Sequence, residues 1–261
     1  MSAGALPAAM VMVGTGVDAV ALDPVVDAFR AAVSGGGGNN GVGGGPFADG
    51  RREVAWDVAS ADPFQTPAEF PGTFFNAFSP RGLQLTTPGS LRISGRAASG
   101  SPDVLFSTLN APASAEFQAF TPERLLAVYG ETVVETRFFL PSTPSQSALV
   151  RGFGVVFADV SIFGPTRLSA FGRNGDLLAD VIVPAAPGGL SFAGVWIDSG
   201  QWIDRVRIVA GEAGIEGNAA QFDIVAVDDF IYSEPQLVPE AGVPGLILLA
   251  GAATLARRHR S

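Results

Sequence analysis

From Arg51 onward the apolar residues of this chain recur at alternate positions. REVAWDV sets Val54, Trp56 and Val58 two residues apart, and LQLTT, LRISG, TVVETRFFL, ALVRGFGVVFADVSIF, TRLSAFG, LLADVIVP, LSFAGVWI, WIDRVRIVA and FDIVAVDDFIY continue the pattern. A period of two sends successive side chains to opposite faces of a strand, so each segment predicts a strand with a buried face. Turn residues separate the segments. Pro88-Gly89 follows LQLTT, and Arg173-Asn174-Gly175-Asp176 predicts a hairpin with a type I′ turn. Strands spaced by roughly 10–15 residues with turns between them predict an all-β fold. We read residues 46–235 as one domain, an antiparallel β-sandwich of jelly-roll type.

Upstream the period changes. Asp23-Pro24 followed by VVDAFRAAV predicts a short helix: Asp suits the N-cap, Pro the first turn, and Val25, Val26, Phe29, Ala32 and Val33 share a face before Gly35. SGGGGNNGVGGGP then reads as a flexible linker, so residues 22–45 form a helix and linker. A phosphate loop is not expected there, because no strand precedes the tract and no Lys or helix follows it. One further helical turn is expected near Pro122-Glu123-Arg124-Leu125-Leu126.

The two ends carry addresses rather than chemistry. Residues 1–21, MSAGALPAAMVMVGTGVDAVA, combine an apolar run with an Ala19-Val20-Ala21 end and read as a signal-like leader, although no basic residue opens it. Residues 236–261 contain 16 uncharged residues, Ala241 to Ala256, followed by Arg257, Arg258 and Arg260. A membrane-spanning helix needs about 20 apolar residues, and Val238 and snorkelling Arg side chains extend this segment toward that length. The Arg cluster would stay cytoplasmic and leave the domain outside. Val238-Pro239-Glu240, the apolar helix and the Arg cluster resemble the PEP-CTERM sorting signal of exported bacterial proteins. That family has Pro-Glu-Pro where this chain has Pro239-Glu240-Ala241. The resemblance implies export, transient anchoring in the inner membrane, cleavage by an exosortase, and release to the cell surface or extracellular matrix.

The body carries a second resemblance. GRREVAWD, FFNAFSPRG, GFGVVFADV, LSFAGVWI and VDDFIYSEP are similar to a family of exported bacterial β-sandwich proteins, without an established activity, that often carry this tail. The likeness runs from about Asp23 to Pro235. Its last motifs also resemble lectin-like, carbohydrate-binding jelly rolls in which a final core strand carries an Asp pair.

Composition narrows the chemistry. The net charge is −9, every basic residue is Arg, and no basic stripe crosses the body, so nucleic acid is not an expected partner. The chain has no cysteine, which removes disulfides, thiolate metal sites and a Cys nucleophile. Its one histidine, His259, lies in the basic tail, so the body holds no Ser-His-Asp triad.

The Asp pair of VAVDDFIY is the sharpest local feature. Strict alternation puts Ile224, Ala226, Asp228 and Phe230 on one face and Val225, Val227, Asp229 and Ile231 on the other. One Asp must then face an apolar side, or the strand must bulge. One reading is a Ca²⁺ site built from Asp228 and Asp229 with Asp57, Asp159 or Glu234. The other is a structural pair that hydrogen-bonds a loop or an Arg. Adjacent and opposite-facing carboxylates cannot by themselves make a glycosidase pair. Trp196 and Trp202 flank IDSGQ, read as a hairpin tip, where a sugar could stack on an indole. The alternative for both is packing, and Trp56 is expected in the core. For Arg51, Arg52 and Arg81, ion pairs with the many carboxylates are expected ahead of a phosphate or uronate site.

Together these features describe an exported, non-enzymatic structural or adhesive component of the cell surface or matrix. The alternative is a Ca²⁺-dependent carbohydrate-binding module that recognises exopolysaccharide, and the third reading is a polysaccharide hydrolase.

Overall fold

The computed structural model describes residues 9–58, 68–97, 103–198 and 200–237. The sorting residues Val238, Pro239, Glu240, Arg257, Arg258 and Arg260, with the apolar segment between them, lie outside the described residues. Among the described residues no helix is long and apolar enough to cross a membrane.

In chain order the elements are β1 (Ala9–Gly16), α1 (Ala19–Val33), β2 (Arg51–Val54), a 3-10 turn (Trp56–Val58), β3 (Ala68–Glu69), α2 (Phe74–Ala77), β4 (Leu83–Thr86), β5 (Ser90–Ile93), α3 (Ala111–Glu116), β6 (Leu126–Tyr129), β7 (Val133–Leu140), β8 (Thr143–Ala148), β9 (Gly152–Ala158), β10 (Arg167–Phe171), β11 (Leu177–Ile182), β12 (Leu190–Ile197), β13 (Arg205–Val209) and β14 (Ala226–Ser233). One sheet of eight strands runs β1-β12-β9-β14-β6-β5-β3, with β2 also on β14. The other, of six, runs β11-β10-β13-β7-β4, with β8 also on β7. The strand pairs are antiparallel. Between the sheets lies a core that includes Trp56, Phe138, Phe153, Phe157, Phe230 and Tyr232. The alternating pattern therefore reads correctly as an all-β fold of two packed antiparallel sheets.

Local details depart from the sequence reading. The β10–β11 hairpin is present, with Gly175 at φ +82°. Its loop is longer than a two-residue type I′ turn, because Gly172 N–H bonds Asp176 O and the register shifts at Ala170/Phe171. Pro88-Gly89 joins strands of different sheets, β4 and β5. Residues 121–125 are not helical, whereas α2 and α3 are, and Trp56 stands in a 3-10 turn rather than a strand. Ala9–Gly16, expected inside a leader, is a strand of the larger sheet, paired with β12 along its whole length. A cut after Ala21 would remove β1 and the first residues of α1.

The helix begins earlier than Asp23-Pro24 suggests. Asp18 is the N-cap, its carboxylate accepting Ala21 N–H at 2.8 Å, and Pro24 lies inside the helix. Leu22, Val26, Phe29 and Val33 form the buried stripe. That stripe packs on the outer face of the larger sheet, together with Leu105, Phe106, Phe117 and Phe120. The central strands β9 and β14 are therefore buried at every position, one face against the second sheet and the other against this helical layer.

Small residues make room for the helix. Gly154 and Gly194 are direct cross-strand partners. A Cβ on either would stand 2.6 Å from the Phe29 ring, and a Cβ on Gly152 would stand 2.7 Å from Val33. The linker is also not free chain. Asn39 bridges Arg51, Gly37 N–H bonds Ser34 O, and the carbonyls of Gly41 and Gly43 accept from the Arg52 guanidinium at 2.9 and 2.8 Å. Its glycines let the chain fold tightly around one buried cation.

If this seat holds α1, Gly194→Val should destabilise the protein by about 1–3 kcal/mol through overpacking. Phe29→Ala should cost about 3–5 kcal/mol through the cavity left behind. Urea unfolding followed by tryptophan fluorescence measures both, and wild-type stability in either variant would show that the helix does not depend on this contact.

Candidate functional site

The Asp pair sits at a strand bulge. Val227 pairs with Phe157 and Phe230 with Val155, so Asp228 and Asp229 together oppose Val156. The bulge changes the parity of the strand. Val225, Val227, Phe230 and Tyr232 face the core between the sheets, while Ile224, Ala226 and Ile231 face the helical layer. The strict alternation expected from sequence fails at these two residues. Trp56 Nε1 donates to the Asp228 carbonyl at 2.7 Å and caps the backbone at the bulge.

Both carboxyls are buried under the segment that precedes β6. Asp228 accepts from Phe120 N–H at 2.6 Å and Thr121 N–H at 3.3 Å. The Thr121 hydroxyl lies 3.0 Å from Asp228 Oδ1 and 2.8 Å from Asp229 Oδ1. Asp57 lies in the same group, its buried Oδ1 without a hydrogen-bond partner among the described residues. A hydroxyl has one proton to give, so Asp228 and Asp229 both bond to it only if one of them is itself protonated. Arg30 of α1 approaches Asp229 at 3.6 Å, but it also pairs with Asp27 and Glu53 at 3.0 and 3.2 Å. Burial pushes Asp228 well above the usual carboxylate range, and the neighbouring Asp229 adds to it. Burial raises Asp229 to about 7, against the opposing pull of Thr121 and Arg30. Asp57 rises to about 6, again through burial, with Glu123 adding. At all three acids burial favours the protonated form.

The other two metal candidates lie elsewhere and are occupied. Asp159, at φ +59°, accepts from Gly188 N–H and the Ser161 hydroxyl, both at 2.8 Å. It lines a separate cavity of about 270 Å³ with Glu116 and Asp223. Glu234 is engaged by Arg52 through Nε–Oε2 at 2.6 Å and Nη2–Oε1 at 2.8 Å, and by Asn40 at 2.8 Å. The five residues do not converge on one point: Asp57, Asp228 and Asp229 lie together, and Asp159 and Glu234 lie apart from them. Among the described residues no group of three or more acidic or histidine side chains is placed to hold a metal ion.

Trp196 and Trp202 do converge. The segment between them is not a hairpin tip, because β12 and β13 belong to different sheets and the chain crosses between them. The crossing is pinned where Ile203 bridges Val150. Both indoles line a cleft of about 270 Å³ with Arg151, Asp49, Ser233 and Glu234. Its walls come from the end of α1, the close of the Gly-rich tract, the start of β9 and the end of β14. The Arg151 guanidinium lies over the Trp202 ring at 4.4 Å and makes no ion pair among the described residues. Of the two carboxylates lining the cleft, Glu234 is paired with Arg52, and Asp49 makes no ion pair among the described residues. Sequence pointed to the two Trp residues but not to Arg151, which stands beside a core strand with no local signal of its own. It also missed Thr121 and Arg30, because their partners are distant in sequence.

No protein-family model matches this chain, and no curated protein matches it in sequence.

The carboxyl cluster sets a pH dependence. An acid with a raised folded-state pKa binds its proton more tightly in the folded chain than in the unfolded one. Between the unfolded value of about 4 and the folded values of about 6 and 7, stability should fall as pH rises, then level off. Asp223, raised by burial, acts in the same direction, while Asp180, lowered by its bond from Arg167, acts only at lower pH. Melting temperatures from pH 4 to 8 should show this slope, and Asp229→Asn should flatten it. An unchanged slope in that variant would mean that the pair holds no extra proton. Because no group among the described residues is placed to hold the ion, replacing EDTA with Ca²⁺ should leave the melting temperature unchanged.

Proposed function

We propose that this chain is a non-enzymatic, glycan-binding component of a bacterial cell surface or extracellular matrix. The observation that carries the reading is the cleft in which Trp196, Trp202 and an Arg151 without an acid partner come together. Indole faces suit the CH-rich faces of sugar rings, and polar groups around them fix orientation. Arg151 favours a sugar bearing a carboxylate, because a guanidinium pairs with that group through two parallel hydrogen bonds. At about 270 Å³ the cleft suits one sugar unit or a chain end rather than a long groove.

Export rests on the resemblance of the tail to a sorting signal. In that reading an exosortase-type enzyme processes the tail after transient anchoring in the inner membrane. The strand crossings between the two sheets are compatible with a jelly roll, the architecture of many glycan-binding modules. Calcium has no part in this proposal. The hydrolase reading has less support, since Asp228 and Asp229 lie beneath the 117–121 segment and do not line the tryptophan cleft.

Native gels containing polygalacturonate or dextran test the proposal directly. The protein should be retarded by the uronate polymer and less by the neutral one. Trp202→Ala should abolish retardation, and Arg151→Gln should remove the preference for the acidic polymer, with melting temperatures close to wild type. Equal retardation of wild type and both variants would rule out this cleft as the binding site.

A further inference from the structure

We propose that the free edge of β1 is a self-association site at which a second copy of this chain pairs antiparallel to the first. β1 is the last strand of the larger sheet and, among the described residues, pairs on one side only, with β12, in unbroken register over eight residues. Its other side pairs with no strand among the described residues and so offers backbone donors and acceptors to another strand.

The remaining sheet edges are short or blunted, β2 by its four residues and the Asn39 bridge to Arg51. β3 is two residues long. β11 is bulged against β10, carries the exposed Asp180 and is followed by Pro184. β4 has four residues, and β8, on the same side of β7, is polar, exposed and interrupted by Pro144. These are the devices by which proteins prevent edge-to-edge pairing. β1 has none of them. From Ala9 to Val17 there is no charge and no proline, and Met10, Val11 and Val13 are 45, 48 and 46% exposed.

A second copy is the occupant that these features favour. Antiparallel pairing about a two-fold axis makes a strand complementary to itself, so no other sequence is required. The chain carries a net charge of −9, so copies repel one another except where they present uncharged surface. The β1 edge is such a surface, and pairing there would cover Met10, Val11 and Val13 while joining two sheets into one. A single strand pair buries less than the roughly 800 Å² per partner of a standard interface, so the association is weak in solution. It strengthens where copies are held together on one surface. This site is independent of the tryptophan cleft.

Sedimentation of the full chain in mild detergent, from about 1 to 100 µM, should show a concentration-dependent monomer–dimer equilibrium. Val11→Lys combined with Val13→Lys should give a monomer, because charges would then face each other across the pair. Val20→Lys, on the exposed side of α1, should leave the dimer intact. Because the chain has no cysteine, Val11→Cys or Val13→Cys offers a second readout that keeps the edge apolar. One of them should cross-link to a dimer under mild oxidation, while Phe163→Cys, on the loop after β9, should not. A monomer throughout the range, a dimer indifferent to the two Lys substitutions, or equal cross-linking at Phe163 would overturn the proposal.

Discussion

The buried fork between Arg52 and Glu234 is the interaction on which much of the architecture depends. Both side chains are almost wholly out of water. Desolvating two ions costs several kcal/mol each, and the pair is tolerable only if nearly every remaining donor and lone pair is satisfied. Here the free Arg52 nitrogen donates to the Gly41 and Gly43 carbonyls, and Asn40 donates to Glu234. That requirement explains the Gly-rich tract. Gly41, Gly43 and Gly45 all have positive φ, and a Cβ on Gly45 would stand 2.6 Å from Glu234 Oε1. The tract closes over the ion pair and returns to β2, which pairs with the end of β14. It thereby brings Asp49 and Gly50 to the wall of the tryptophan cleft.

A second constraint acts at the other end of the β2–β14 pair. The bulge at Asp228 and Asp229 turns two carboxyls toward the helical layer, and Trp56, just after β2, anchors it from the core side. Phe120 and Thr121 hang on Asp228 through backbone N–H groups, and Arg30 reaches the pair from α1. The acids therefore join sheet, helix and loop. Exchange of a proton on one of them is coupled to the packing of all three, because burial makes a second charge there expensive.

The sheets were legible in the sequence because each strand carries its own period, as in VVETRFFL, whose burial alternates along β7. β9 and β14 were legible only as apolar runs, since both faces are covered. The layer that covers them was not visible, because its seat is made by Gly154 and Gly194, which are neighbours only once β9 and β12 have paired. β1 was hidden for a related reason. An apolar, uncharged edge strand has the composition of a leader, and local pattern does not separate the two. The sequence also flagged the five acidic candidates by residue type alone. Their roles were decided by distant donors: Arg52 for Glu234, Phe120 and Thr121 for Asp228, and Gly188 for Asp159.

The same accounting gives Arg151 its weight. Acidic side chains outnumber basic ones in this chain by 25 to 16. On the open face of the smaller sheet, Arg137 meets Asp204, Arg167 meets Asp180, and Arg205 and Arg207 share Glu135. Such exposed pairs contribute little to stability, but they show that surface arginines here readily find carboxylates. Arg151 is held against Trp202 without an ion pair among the described residues, although Asp49 lines the same cleft; the cleft's other carboxylate, Glu234, is bound to Arg52. Arg151 thus places a cation in a cleft that Trp196, Trp202 and Asp49 also line, and the proposed binding of an acidic sugar rests on that combination: an apolar surface for the ring and a positive charge for its carboxylate.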